Sequence, residues 1–481
     1  MYKNFQYGFL WSAVGQYGTM VSLIVINMFL SRLLSPQEYG QVAMITVFIT
    51  FFQLITEAGL GPAIIQQKDL QQKDYNSLFN ISLIFSIGLA FLFGIFGYII
   101  SYFYEDISYI KFSWLLSIVV LFNGMQIVPN AIMLKNQLFK IVNLIKLAVT
   151  IVSGIVGVIL AFRGFGVYTL IINSMLNASL NFILIMKFSK LKTSKSFDFK
   201  PLRKVWNFSK NQFGFNFINY FSRNSDNLLI GKFMSSDALG NYNKSYQLLM
   251  YPVTIFGGVI TPVLQPILSN YQDNTMLIKE VYYKLIKVLA FITIPFSIFL
   301  MFSAKQIILV MFGNQWQAAI YSFSILSATV WIQVIGSTAG AIFQARNKTK
   351  ELFLTGTLSA IILVTSIVIG VTLGSIETVS ICLSLAFFWN FIQSYWFLTH
   401  KVLKSNLLEF FKLFITPICS GILMMLVFCF YSYFLDAFFQ SMFINLCIRF
   451  VLFIVVFIVT ALLFGEYKSL LKLIIKDDKK T

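Results

Sequence analysis

About fourteen apolar stretches, each long enough to cross a bilayer, fill the chain from Phe9 to Phe464. They lie near residues 8–31, 39–62, 77–101, 112–133, 143–162, 166–186, 213–232, 245–268, 285–304, 317–343, 352–373, 377–399, 410–433 and 440–464. A spanning helix needs roughly 20 mostly apolar residues. In lipid, only helices and closed barrels satisfy every backbone polar group. These stretches are too long and too uniformly apolar for barrel strands. The sequence therefore predicts an all-α integral membrane protein whose function is carried by helix faces and short loops.

The distribution of charge orients the chain. Only 11% of the 481 residues are charged, and the formal net charge is +18. With the N-terminus inside, about 28 of the 36 basic residues fall on one side. They include Lys3, Lys135, Lys140, the run from Lys187 to Lys210, Lys279 to Lys287, Lys401 to Lys412 and the C-terminal lysines. The other side holds Arg32, Lys111, Arg163, Lys232, Lys244 and Lys305. This asymmetry follows the positive-inside rule and places both termini in the cytoplasm. The basic character then reflects topology and anionic headgroups, and no nucleic-acid partner is expected.

Little here supports bond-making chemistry. Cys382, Cys419, Cys429 and Cys447 all fall within expected spans, without metal or disulfide spacing, and read as small buried apolar side chains. The only histidine, His400, lies at a cytoplasmic helix end. There is no P-loop, zinc pattern or nucleophile elbow, and external loops reach only about a dozen residues, near 102–111 or 233–244. No catalytic residue, metal or cofactor is implied. The first span is too long for a cleaved signal and lacks a small-residue cleavage site.

The chain repeats itself. LSRLLSPQEYG at 30–40 matches IGKFMSSDALG at 230–240, so Arg32 aligns with Lys232, Ser35 with Ser235 and Gly40 with Gly240. Pro62 and Pro262 continue the same offset, and a weaker echo pairs LKNQLFKIVNL (134–144) with FQARNKTKELF (343–353). Six spans separate equivalent points, so both copies share one orientation, a known transporter plan. Four segments follow. Residues 1–190 form a first six-span lobe, and 191–212 a basic, aromatic linker lying as an amphipathic helix on the cytoplasmic leaflet. Residues 213–404 form the second six-span lobe, and 405–481 two accessory spans with a basic tail.

Span seven carries the main polar stripe. Gln212, Asn216, Asn219, Arg223 and Asp226 follow at i, i+4, i+7, i+11 and i+14, which places them on one helical face. Charges at membrane depth cost roughly 2.5–3.5 kcal/mol each, so the stripe must face protein or water. It lines a wet central cavity, or Arg223 and Asp226 neutralise each other as a buried i, i+3 pair. Asn173, Asn177 and Asn181 in span six either line a polar path or hold helices together. Glu57 lies beside Gly59, Gly61 and Pro62, in a helix-end or a transport role; Arg449 is a further charge at depth, for a lipid headgroup or another span. Pro62, Pro129, Pro252, Pro262 and Pro295 mark kinks or hinges.

Two blocks, one after span one and one at span seven, carry a resemblance. RLLSPQEYG (Arg32–Gly40) with EAGLG (Glu57–Gly61), SRNSDNLLIGK (Ser222–Lys232) and ALGNY (Ala238–Tyr242) resemble the polysaccharide exporters of the MOP superfamily, the Wzx-type flippases. The resemblance covers the first twelve spans. It implies two pseudosymmetric helical lobes opening alternately to each side of a bacterial cytoplasmic membrane. It also implies a substrate, an oligosaccharide on polyprenyl pyrophosphate, used in capsule, exopolysaccharide or O-antigen synthesis. Membrane lipids and polysaccharide polymerase machinery are the implied partners. Arg223 and Asp226 match the charged block of the family.

Under this reading Arg223 attracts pyrophosphate or a charged sugar, Asp226 holds it in place or takes part in ion coupling, and Asn216 and Asn219 bond sugar hydroxyls. A cation-coupled multidrug antiporter of the same superfamily is the alternative, disfavoured because Asp226 already has Arg223 beside it. A membrane polysaccharide polymerase or glycosyltransferase is disfavoured by the short external loops.

Overall fold

A computed structural model describes residues 2–57, 60–67, 69–191, 198, 220 and 224–467. Among the described residues, 12 helices are long and apolar enough to cross a membrane, or 13 if one bent pair counts as a span. Of the remaining expected span, 213–232, only residues 220 and 224–232 are described, and nearly all of the linker at 191–212 lies outside the described residues. No strand occurs among the described residues.

The chain divides into two compact units, Met1–Gly240 and Asn241–Thr481. The first contains α1 (Tyr2–Leu33), α2 (Pro36–Glu57), α3 (Leu60–Gln66), α4 (Gln72–Tyr104), α5 (Ser108–Met125), α6 (Ile127–Lys135), α7 (Phe139–Phe162) and α8 (Val167–Ser189). Its helices approach closely where one of them is small. Trp114 and Ser113 of α5 lie over Gly94 and Gly97 of α4, and Ile26 of α1 lies over Gly154 of α7. In lipid such close packing replaces the hydrophobic drive that water would supply. Lys135, the last residue of α6, donates to the carbonyls of Ile64 and Gln67 and so caps the end of α3.

Helix α9 (Ser236–Ser269) leads from the first unit into the second. The second unit continues with α10 (Thr275–Phe302), α11 (Ala304–Met311), α12 (Ala319–Ser327), α13 (Val330–Ala345), α14 (Thr349–Thr372), α15 (Ile376–Phe397), α16 (Leu407–Lys412), α17 (Ile415–Phe434) and α18 (Met442–Leu463). Several helices outrun the apolar stretches from which they were read. Helix α10 begins ten residues before the expected 285, because its first turns carry Lys279, Glu280 and Lys284, which a helix tolerates where the chain leaves the bilayer. The expected tenth span is broken into α12 and α13, bent by 54°.

The internal repeat is visible in the backbone. Leu34 N donates to Leu30 O, and Met234 N to Ile230 O; Tyr39 N donates to Ser35 O, and Leu239 N to Ser235 O. Ser35 and Glu38 form a reciprocal N-terminal cap, and Ser235 Oγ accepts from Ala238 N at 3.0 Å. The second echo is shifted by one residue from the sequence alignment. Gln137 (φ 58°) and Asn347 (φ 53°) both adopt the left-handed conformation, with Leu138 N donating to Met133 O and Lys348 N to Phe343 O. Backbone geometry therefore sets an offset of 210, and α7 and α14 match along their whole lengths. Ten residues have entered the second copy between these two marks, in the stretch that contains α11.

The two accessory helices are fastened to α10. Arg449 of α18 donates to Phe302 O at the end of α10, Phe453 packs on Phe299 and Phe296, Phe457 packs on Phe291, and Glu466 pairs with Lys287 at 2.5 Å. The run is antiparallel and continuous. The cysteines depart from expectation: Cys429 and Cys447 are exposed and Cys382 and Cys419 half-buried. A thiol is apolar enough to face lipid, so a span need not bury it in protein.

Candidate functional site

Of the span-seven stripe, Asp226 alone is described; Gln212, Asn216, Asn219 and Arg223 lie outside the described residues. Asp226 is 5% exposed and accepts from the backbone N–H of Asn227 at 2.8 Å. Around it, residues 224–233 are helical and pack on α2 and α4. Tyr220 donates to Val47 O, Gly231 lies against Met44 and Tyr104, and Lys232 Nζ reaches Glu105 at 3.0 Å and Phe103 O at 2.5 Å. A groove of about 700 Å³ opens beside this ion pair, lined in part by Ser101, Tyr102, Asp106 and Ile107.

The asparagines of α8 turn towards α7. Asn177 Nδ2 donates to Ser153 Oγ at 3.3 Å, and Asn181 Nδ2 to Asn177 Oδ1 at 3.1 Å and Asn177 O at 2.9 Å. Asn173 sits against Gly157. All three are half-buried. They form one ladder in the α7–α8 seam.

Glu57 is the last residue of α2 and is exposed. Its neighbour Thr56 is buried, and a Cβ on Gly124 would overlap both Thr56 and Ser86. This is the centre of a polar seam that sequence reasoning passed over. Asn76, Ser77, Ser82 and Ser86 of α4 are buried, and Gln126, at the break between α5 and α6, donates to Asn123 Oδ1 at 3.0 Å. The signal was the four-residue spacing of Ser82 and Ser86. Serine is easily passed over at membrane depth because its hydroxyl bonds its own helix, as Ser86 Oγ does to Ser82 O at 2.6 Å.

Arg449 is structural. It is 2% exposed, donates to Asn445 Oδ1 and Asp436 Oδ1, each at 2.8 Å, and lies over the Tyr431 ring. Partial burial pushes the Asp436 carboxyl up, but hydrogen bonds from Arg449 and Asn445, with the charges of Arg449 and Lys305, carry it below the ordinary carboxylate range. His400 lies in a π-helical turn, Leu398–Val402, beside Trp396. Among the described residues no group of three His, Cys, Asp or Glu is placed to hold a metal ion.

The sequence matches the family described as "Polysaccharide biosynthesis protein" over residues 29–321. It is 24% identical to the teichuronic acid biosynthesis protein TuaB of Bacillus subtilis (strain 168), over 86% of each chain. It is 21% identical to the lipopolysaccharide biosynthesis protein WzxC of Escherichia coli (strain K12), over 83% of this chain and 82% of that one. The fold resembles the lipid II flippase MurJ in its inward closed conformation, with a TM-score of 0.77 at 16% identity, covering 96% of this chain and 100% of that chain. The repeated helical architecture and the match across more than half of the sequence make this chain a member of the polysaccharide biosynthesis protein family.

Proposed function

We propose that the protein is a flippase. It moves a polyprenyl-pyrophosphate-linked oligosaccharide repeat unit across the cytoplasmic membrane by alternating access, with both termini in the cytoplasm. One observation carries this reading. The chain belongs to a polysaccharide family, yet its described residues are almost entirely membrane spans joined by short connections, which favours carriage of a sugar over its synthesis. The reading assigns no catalytic step to the chain.

The span-seven stripe is assigned to the substrate. Arg223 attracts the pyrophosphate or a charged sugar, Asp226 orients it, and Asn216, Asn219 and Gln212 bond sugar hydroxyls. Glu57 sits at the mouth of the Thr56–Ser86–Gly124 seam and belongs to the same path. The ladder of Asn173, Asn177 and Asn181 is assigned to helix packing, because its hydrogen bonds run within α8 and to α7. An inside-negative potential favours outward movement of an anion by about 2.3 kcal/mol per charge per 100 mV.

The test is reconstitution into liposomes with a lipid-linked oligosaccharide, followed by leaflet-resolved labelling. Labelled substrate should appear in the opposite leaflet, and Arg223→Ala should slow its appearance while the protein stays in the membrane. Transport of a lipophilic cation with no movement of the oligosaccharide would favour an antiporter instead. Unchanged movement in Arg223→Ala would remove that residue from the site.

A further inference from the structure

The connection between α15 and α17 is an amphiphilic shelf. Asn406 caps α16 by accepting from Leu408 N at 3.1 Å. On the inner side Phe410 is fully buried and stacks on Tyr395, with ring centroids 4.3 Å apart. On the outer side Leu408, Lys412 and Ile415 follow at i, i+4 and i+7, and Leu408 and Ile415 are 69% and 60% exposed. A groove of about 510 Å³ runs over this face, lined by Asn406, Leu408, Glu409, Phe411, Lys412 and Ile415.

The one acid in the groove is already engaged. Glu409 accepts from Lys279 at 2.7 Å and from Ser405 Oγ at 2.6 Å, and these bonds, with the charges of Lys279 and Lys412, hold its carboxyl below the usual range. Lys412, with the exposed Lys401 and Lys404 just before the helix, leaves the rim with positive charge. An apolar trough ending in cations, between two membrane spans, fits one kind of molecule: a long acyl chain attached to a phosphate. We propose that this groove binds an anionic phospholipid of the surrounding bilayer, with its phosphate on Lys412 and Lys404 and an acyl chain along Leu408, Phe411 and Ile415. The site lies in the second unit, and its occupancy does not depend on what the protein transports.

The test uses the full chain in detergent, titrated with phosphatidylglycerol or phosphatidylcholine and read by native mass spectrometry. The parent should retain phosphatidylglycerol in preference to phosphatidylcholine. Lys412→Gln should weaken phosphatidylglycerol retention about fivefold, the value of one lysine at an anionic lipid surface, and Lys412→Arg should restore it. Leu408→Ser, which keeps every charge, should weaken both lipids. Equal phosphatidylglycerol retention by parent and Lys412→Gln would overturn the proposal. So would equal retention of the two lipids by the parent, or displacement of bound lipid by excess inorganic phosphate.

Discussion

Gly40 and Gly240, equivalent positions of the repeated segment, each lie against the other copy. A Cβ on Gly40 would overlap the carbonyl of Ser236, and a Cβ on Gly240 would overlap the carbonyl of Pro36. Pro36 and Ser236 are themselves equivalent, so the contact is reciprocal, like an interface between identical subunits written into one chain. Only glycine permits this approach, since the opposing atoms are backbone and cannot rotate away.

Gly40→Ala should therefore destabilise the protein by about 1–3 kcal/mol, the usual cost of overpacking. Gly356→Ala in α14 is the control. Its Cβ meets nothing within 4 Å, and alanine is the better helix former. Thermal unfolding of the two variants in detergent checks the contrast; equal melting temperatures would show that the contact yields without cost.

Arg449→Ala should destabilise the protein by about 1–3 kcal/mol, because it removes a charged donor from Asp436, the Asn445 side-chain oxygen and Phe302 O, while Asn445 still bonds Asp436. Arg449→Met combined with Asp436→Asn should recover much of the loss, since no unpaired charge remains. Melting temperatures of the single and double variants decide this.

The same pair has a defined pH dependence. The folded state holds the Asp436 carboxyl below its ordinary value of 3.8, so its contribution is complete above that value and disappears as pH falls through the lower folded value. The melting-temperature gap between parent and Asp436→Asn should stay constant from about pH 7 to pH 5 and close only below about pH 4. A gap that closes near neutrality would assign the effect to another group.

Asn177 and Ser153 should behave as packing partners. A double-mutant cycle with Asn177→Ala and Ser153→Ala should give a coupling of about 0.6 kcal/mol, typical of bonds between membrane helices. Oligosaccharide movement by Asn177→Ala should stay near the parent rate. Slowed movement with unchanged stability would return Asn177 to the substrate path.

Membrane spans were legible because a run of some twenty apolar residues has few other uses. The first repeat was legible because its serine caps and close-packed glycines restrict the residues allowed. The second was misaligned by one because the left-handed position accepts Gln137 in one copy and Asn347 in the other, and no shared letter marks it. The break at Ala328 and Thr329 carries no proline or glycine, so nothing announced it. Arg449 was visible as a charge at depth, but its partner Asp436 lies in a 3₁₀ turn, Asp436–Phe438, between spans, where an acid looks ordinary.

The two fastenings of α18, at Phe302 and at Lys287, lie far apart along α10 and are joined by a ladder of phenylalanines. Such a truss braces α10 on both sides of Pro295. If α10 tilts, the outer helix tilts with it, so a spectroscopic label on the exposed face of α18, at Val451 or Val455, reports the motion of a helix too deeply packed to label directly.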